Sequence, residues 1–288
     1  MYKLLALDMD GTLLNPDKMI TTETRHSIQA LMQAGVKVTI ASGRFPASVW
    51  LHARAAGMNF PLIALNGAVT LDAETGNIFA GSPLHRADAF QLVQAVHGAG
   101  AYVHFYGYNK LFVQELNDMN TRWPLANVVV QPDKALTKEN YKDQTALIRV
   151  EPIEKSMQYF IESTDEPLYK AAVICDDRDV LKRLYVELHS WGVFQLTRTG
   201  SRRFDVNAAG ISKRVALEQL CREQDIVPSE VAAAGDYDND IEMLRWAGLG
   251  IAMGNANEQV KAIARVVTGS NSEDGVAEAI HRYLLNRS

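Results

Sequence analysis

With 288 residues, 47% hydrophobic and 22% charged, the chain has an ordinary globular composition and is long enough for one large domain or two. A formal net charge of −5 argues against a nucleic-acid or anionic-membrane surface, without forbidding an anionic substrate where a cation reverses the local field. Two distant cysteines (Cys175, Cys221) and seven scattered histidines argue against a disulfide framework or zinc site, and no apolar run approaches the ~20 residues of a membrane span.

Residues 3–7 read as a buried strand that ends at Asp8 and Asp10. Thr21 or Thr22 caps a helix with an apolar stripe of Ile28, Leu31 and Met32, and Gly35 stops it. Strands over 36–41 and 61–65 flank a helix reaching Gly57, and 69–82 reads as a hairpin. From 84 to 207 the strands shorten, aromatics collect, and Pro124, Pro132 and Pro152 break the pattern. Candidate strands there are 102–106, 111–114, 147–150, 171–174, 194–197 and 204–206, with helices near 154–163 and 179–191. The polar–apolar alternation suits a sheet with one solvated or ligand-facing side. The first pattern then resumes, with helices over 212–224, 240–247, 258–264 and 276–285 and strands over 231–234, 249–252 and 265–268. The reading is α/β: a doubly wound, Rossmann-like parallel sheet formed by 1–83 and 208–288, with an inserted α+β domain at 84–207.

In an open parallel sheet, ligands bind at the carboxyl ends of the strands. Here those ends carry Asp8 and Asp10; Ser42 and Gly43; Asn66 and Gly67; Asp236, Asn239 and Asp240; Gly254 and Asn255; and Asn271 and Asp274. Turn chemistry accounts for several of the glycines and asparagines, and equally well for Asn271 and Asp274. It does not account for a second acid cluster, Gly235 to Asp240, that matches the first. Extended backbone would aim Asp8 and Asp10 the same way, and acids gathered at one edge repel unless a cation such as Mg2+ lies among them. Lys213, in the first turn of a helix after Ser212, opposes the helix dipole and makes sense there if it faces an anion. Carboxylates, a cation, a hydroxyl and a lysine suit phosphoryl transfer, with one acid attacking phosphorus and the other moving the proton.

These motifs resemble those of haloacid-dehalogenase-superfamily phosphatases of the Cof-type subgroup: DMDGTLL from Asp8, ASGR around Ser42, GISK ending at Lys213 and GDYDND from Gly235. NGA at Asn66, MGNA at Met253 and the segment from Asn271 to Ala277 match as well, so the likeness spans nearly the whole chain in order. The resemblance implies Asp8 as nucleophile and Asp10 as general acid and base. It implies that Ser42, Lys213, Asn239 and the backbone at Met9 and Gly43 hold the phosphoryl group. Mg2+ would sit on the Asp8 carboxylate, the Asp10 main-chain carbonyl and Asp236, with Asp240 orienting Lys213 or the metal's waters. The insert then corresponds to a cap that excludes water and chooses the substrate. One departure stands out: the family usually has glycine after the motif lysine, and this chain has Arg214, read as solvated.

The expected function is Mg2+-dependent hydrolysis of small phosphorylated metabolites, sugar phosphates or phosphorylated cofactors, by a cytoplasmic enzyme without nucleic-acid or membrane partners. A phosphotransferase or mutase using the same aspartyl-phosphate, and a non-catalytic sensor of a phosphometabolite, are the alternatives. A sensor has no need of a nucleophile with an acid two residues on. His104, Tyr106, Tyr108 and Arg149 are nominated to meet the rest of the substrate, the aromatics reading equally as core of the insert.

Overall fold

The computed structural model describes residues 2–117, 120 and 148–285. Pro124, Pro132 and residue 147, the first of the strand expected over 147–150, lie outside the described residues. Two compact units emerge, one containing 2–80 and 213–285, the other 81–117 and 148–212. The junctions thus fall at 80/81 and 212/213, against expected boundaries at 83/84 and 207/208.

The first unit is built on strands β1 (Leu4–Leu7), β2 (Lys37–Ile40), β12 (Val231–Gly235), β13 (Leu249–Ala252) and β14 (Val266–Val267), in the spatial order β14-β13-β12-β1-β2. Every pairing among them is parallel. The central strands are apolar and buried throughout, as a sheet covered on both faces requires. Strand β3 (Leu62–Ala64) joins β2 by an Ala41–Ile63 bridge and turns back through β4 (Val69–Leu71) and β5 (Ile78–Gly81). The chain runs outward from β1 through β2 to β3, then returns to lay β12 on the other side of β1. That reversal makes the β1/β12 edge the switch point of the sheet, where the strand ends part and leave room for a ligand.

Helix α1 (Thr22–Gln33) starts where Thr21 accepts a hydrogen bond from the Thr24 N–H, and α2 (Pro46–Ala56) ends on Gly57 in the left-handed conformation. Helices α6 (Lys213–Arg222), α7 (Ile241–Trp246), α8 (Glu258–Ile263) and α9 (Gly275–Ala279) complete this unit's α-helices among the described residues, and Ile280–Leu285 continues the last as a π-helix.

In the second unit, strands β6 (Tyr102–Tyr106), β7 (Lys110–Val113), β8 (Arg149–Pro152), β9 (Lys170–Ile174), β10 (Phe194–Gly200) and β11 (Arg203–Ala208) form a sheet in the order β10-β11-β9-β6-β7-β8. Helices α3 (Arg86–Gly98), α4 (Met157–Ser163) and α5 (Arg178–Ser190) supply Leu92, Val93, Val96, Met157, Leu184 and Leu188 to the core beside Val103, Phe105, Val173, Phe204 and Val206. Sequence reading overlooked α3, although Ala89, Leu92, Val93 and Val96 recur at helical spacing and are its buried residues. It also expected a solvated or ligand-facing second face. The alternate residues His104, Tyr106, Lys170, Asp205 and Asn207 are buried, so this face is not the solvated one. Lys170 donates to Asp205 at 2.8 Å and lies 4.1 Å from the centre of the Tyr106 ring, so a charge that burial would make costly is paired. Of the residues nominated for substrate contact, His104 and Tyr106 belong to this buried face, while Arg149 is exposed on the edge strand β8. Burial, followed by the charges of Lys170 and Arg203, draws the His104 pKa down to about 3, so its ring is neutral at physiological pH.

Candidate active site

Register brings the two acid motifs together. Leu7 pairs with Ala234, and the Asp8 N–H donates to the Ala234 carbonyl at 3.0 Å, so the chain leaves β1 and β12 side by side with Asp8 and Asp236 at the parting strand ends. Lys213, at the start of α6 and 1% exposed, points into this edge. Its Nζ donates to Asp8 Oδ1 at 2.5 Å and to Asp240 Oδ1 at 2.8 Å. The sequence argument that Lys213 faces an anion thus meets two carboxylates.

Asp240 has no exposure, and both its oxygens are engaged: Oδ1 by Lys213, Oδ2 by the N–H groups of Asp236 and Tyr237 at 3.0 and 3.2 Å. It holds Lys213 in place and closes the turn that presents Asp236. Asp236 accepts from the Thr12 hydroxyl at 3.0 Å. Oxygens of Asp8, Asp236 and Asp240 lie within 4.8 Å of one another, with Lys213 hydrogen-bonded to two of the three acids.

That imbalance shows in the titration of the cluster. Burial lifts the Asp8 carboxyl well above the ordinary carboxylate range; Lys213 pulls it down, and Asp240 and Asp236 push it further up. Burial and Asp240 likewise raise Asp236, to about 6, against the pull of Thr12 and Lys213. Burial alone would discharge Lys213, but Asp240 and Asp8 outweigh it and hold the ammonium above its usual pKa. The donor set is therefore hard oxygen with excess negative charge, which fits a small divalent cation such as Mg2+. Asp8 and Asp236 are the carboxylates that would hold it, since Asp240 is already occupied.

Asp10 departs from the expectation that both acids of the first motif aim one way. Extension ends at Leu7, and the Asp10 carboxylate faces Arg44 instead. Arg44 Nε and Nη2 reach its two oxygens at 2.7 Å each, a bidentate pair, and Lys18 Nζ reaches Oδ1 at 2.7 Å. Partial burial raises this carboxyl, but Arg44 and Lys18 prevail and hold it well below the usual range. Sequence reading gave neither cation a role. Arg44 was in view as the last residue of ASGR; Lys18 reaches Asp10 through a turn in which its own φ is +62°, and nothing local announces that.

The remaining residues expected to hold phosphate lie on the same unit. Ser42 is buried after β2; its N–H is committed to the Ile63 carbonyl at 2.9 Å, while its hydroxyl accepts from the Arg44 N–H at 3.2 Å. Gly43 is where a Cβ would come within 2.7 Å of Asn66 Oδ1, so a side chain there would push into the amide that also accepts from Asn239 Nδ2 at 3.4 Å. Met9 is buried, and its carbonyl accepts from the N–H groups of Thr12 and Leu14. Arg214, read from sequence as solvated, pairs with Glu218 one turn on and lies 3.8 Å from Glu242 of α7.

Gly11 carries the sharpest steric demand. Its φ is +81°, and a Cβ would sit 2.3 Å from Asp236 Oδ2. Gly11→Ala combines a strained backbone with displacement of the half-buried Asp236 carboxylate and is expected to destabilise the fold by about 1–3 kcal/mol in denaturant titration.

Comparison with known proteins agrees with this picture. The sequence model of a family described as haloacid dehalogenase-like hydrolase matches residues 5–280. A 5-amino-6-(5-phospho-D-ribitylamino)uracil phosphatase of Bacillus subtilis, YcsE, is 30% identical over 283 residues, covering 98% of this chain and 96% of the relative. A pyridoxal phosphate phosphatase of Escherichia coli, YbhA, is 27% identical, covering 98% of this chain and 99% of the relative. Among solved structures, a haloacid dehalogenase-like hydrolase from B. subtilis superposes with a TM-score of 0.83 at 24% identity, covering 98% of this chain and all of that one. No helix among the described residues is long and apolar enough to cross a membrane.

Proposed function

The chain belongs to the haloacid dehalogenase-like hydrolase family, and from that premise we propose that it is a Mg2+-dependent phosphatase of small phosphorylated metabolites, acting in the cytoplasm through an aspartyl-phosphate. The observation that carries this reading is the buried Lys213 joined to Asp8 beside Asp236, a nucleophile, a cation and a metal-ready acid at one strand edge. The names of the two relatives, one acting on a ribityl phosphate and one on pyridoxal phosphate, support phosphorylated cofactors or sugar phosphates as the substrate class.

Asp8 supplies the attacking oxygen, forming a bond to phosphorus as the ester P–O bond breaks and the leaving oxygen takes a proton from Asp10. Water, giving its proton to Asp10, then attacks the same phosphorus and frees Asp8. The Arg44–Lys18 clamp favours the Asp10 carboxylate, the form that takes a proton from water; donating one requires protonation against both cations. Lys213, the Ser42 hydroxyl, Asn239 and the backbone at Met9 and Gly43 neutralise and orient the phosphoryl oxygens. Asp8, the Asp10 carbonyl and Asp236 would hold Mg2+, which when bound would supply charge neutralisation at the phosphoryl group. The inserted unit is assigned the choice of leaving group.

The test is phosphate release from a panel of sugar and cofactor monoesters with and without Mg2+; release from none of them would sink the reading. The raised acids add a pH dependence. Because Asp8 and Asp236 hold protons more tightly folded than unfolded, their share of metal-free stability falls as pH rises from about 4 through the Asp236 value of about 6, while the buried His52 and His104, with pKa values drawn down to about 4 and 3, act in the opposite direction. Saturating Mg2+ is expected to remove that fall, and its half-saturation concentration to rise as pH drops below about 6. Melting curves at pH 5 and 7.5, with and without Mg2+, check both through the Mg2+-induced shift; a shift no larger at pH 7.5 than at pH 5 would contradict them.

A further inference from the structure

Asn255 and Asn271 stand in motifs that the chemistry above leaves unused. Asn255 Nδ2 donates to the Gly11 carbonyl at 2.8 Å, and Asn271 Nδ2 donates to the Leu14 carbonyl at 2.7 Å. The two are linked, since the Asn271 N–H donates to Asn255 Oδ1 at 2.9 Å. They arrive from the loops that follow β13 and β14, so two neighbouring strands of the sheet reach across to the loop that follows β1. The bracing segment is itself tied down: Asp274, with φ +56°, accepts from the Thr21 hydroxyl at 2.5 Å and the Thr24 hydroxyl at 3.4 Å.

The loop from Asp8 to Leu14 needs such support for a specific reason. Asp236 leaves no space for a Cβ at position 11, so the residue there is glycine, and glycine imposes the least restraint on its own backbone. Inside the loop, the N–H groups of Thr12 and Leu14 share the Met9 carbonyl and Leu13 bonds to Asp8. Those bonds and the parallel Asp10–Leu14 bridge close the turn, and the two asparagine amides add a restraint on the Gly11 and Leu14 carbonyls from outside the loop.

We propose that Asn255 and Asn271 are positioning residues: their paired side-chain amides hold the Gly11 and Leu14 carbonyls and thereby fix where the loop presents Asp8 and Asp10. The catalytic consequence rests on the phosphatase reading; the restraint on the loop does not. A misplacement of about 1 Å in such a loop can cost about 100-fold in rate.

Asn255→Ala, Asn271→Ala, the double variant and Asn255→Asp test the proposal. Asn255→Asp keeps an oxygen for the Asn271 N–H and loses the donor to Gly11, so it is expected to behave like Asn255→Ala. Each single variant is expected to lower kcat about 10- to 100-fold with KM within about twofold. Melting temperatures should stay within about 4 °C of the parent, as for substitutions outside the core. The double variant is expected to lose less than the product of the single losses, because both amides restrain one loop. Unchanged kcat, a loss confined to KM, or a loss that follows the melting temperature would overturn the assignment. Hydrogen exchange gives a readout that needs no turnover: amides of residues 12–14 should exchange about tenfold faster in each alanine variant, with β1 and β12 unaffected. Unaltered exchange there defeats the proposal even if the protein hydrolyses nothing, whereas a parent protein without phosphate release defeats only the phosphatase reading.

Discussion

Replacing Asp8 by Asn is expected to lower Mg2+-dependent phosphate release by at least about 10⁴-fold, a loss of the order seen when a covalent nucleophile is removed. The carboxamide matches the carboxylate in shape but carries no charge, so it does not attack phosphorus and is a weaker ligand for a divalent cation. The change leaves Lys213 with its 2.8 Å bond to Asp240, so the buried ammonium keeps one anionic partner. It also removes one of the acids whose ionisation is resisted by burial and by its neighbours. The Asp8 pKa is raised on folding, so its stabilising share is complete at acid pH and is lost as pH rises through its folded value. An asparagine cannot ionise and escapes that loss. Metal-free Asp8→Asn is therefore expected to melt no lower than the parent above pH 7. The comparison needs phosphate release on the best ester of the panel and a thermal melt of both proteins. Hydroxylamine trapping of an acyl phosphate in the parent but not the variant would support the intermediate. Residual turnover within tenfold of the parent would remove Asp8 as nucleophile.

Lys213→Ala is expected to be the most destabilising single change in the site, by about 3–5 kcal/mol at pH 8, the usual cost of breaking a buried ion pair from one side. Lys213 is completely covered and bonded to two acids, so its removal leaves Asp8, Asp236 and Asp240 together without a cation of their own. Proton uptake by Asp8 and Asp236 relieves that repulsion, and the deficit should shrink at pH 5. Mg2+ should restore part of the stability. Turnover should stay down by about 100- to 1000-fold, because a donor preorganised toward the transferring group is gone. Lys213→Met keeps most of the side-chain volume and separates lost charge from lost packing. Denaturant titrations at pH 5 and 8 decide the matter. A deficit under about 1 kcal/mol at both would mean the acids do not depend on this lysine.

Much of this site could be read along the chain, because its parts sit at the ends of apolar runs. Leu4–Leu7, Val231–Gly235 and Leu249–Ala252 are continuous buried strands, and alternation with helices implies parallel pairing. In a parallel sheet all carboxyl ends share one edge, so Asp8, Ser42, Asp236 and Asn255 could be placed there from spacing alone. Local capping signals narrowed the start of α1 to Thr21 or Thr22, of which the structure uses Thr21, and the helix before Gly57 ends there as read. Helix α3 was equally legible from Ala89, Leu92, Val93 and Val96 but was hidden among the aromatic-rich strands.

What no local pattern carried was the partner of each polar group. Asp10 meets Arg44 and Lys18 rather than the acid cluster, Asp240 spends both oxygens on Lys213 and the Asp236 turn, and Lys170 finds Asp205 across two strands of the insert. The bond between Lys213 and Asp8 spans 205 residues, and that between Thr12 and Asp236 spans 224. Sequence by itself determined the inventory: parallel strands, acids at their ends, one lysine opening a helix and an insert of different character. Strand order decided the rest. Only when β12 returns to lie against β1, in the order β14-β13-β12-β1-β2, do the two acid motifs adjoin. Hydrophobic periodicity records that a strand is buried and on which faces, but the same apolar strand satisfies burial beside several neighbours. Which carboxylate ionises, and which lysine holds it, follows from the neighbour the packed sheet selects.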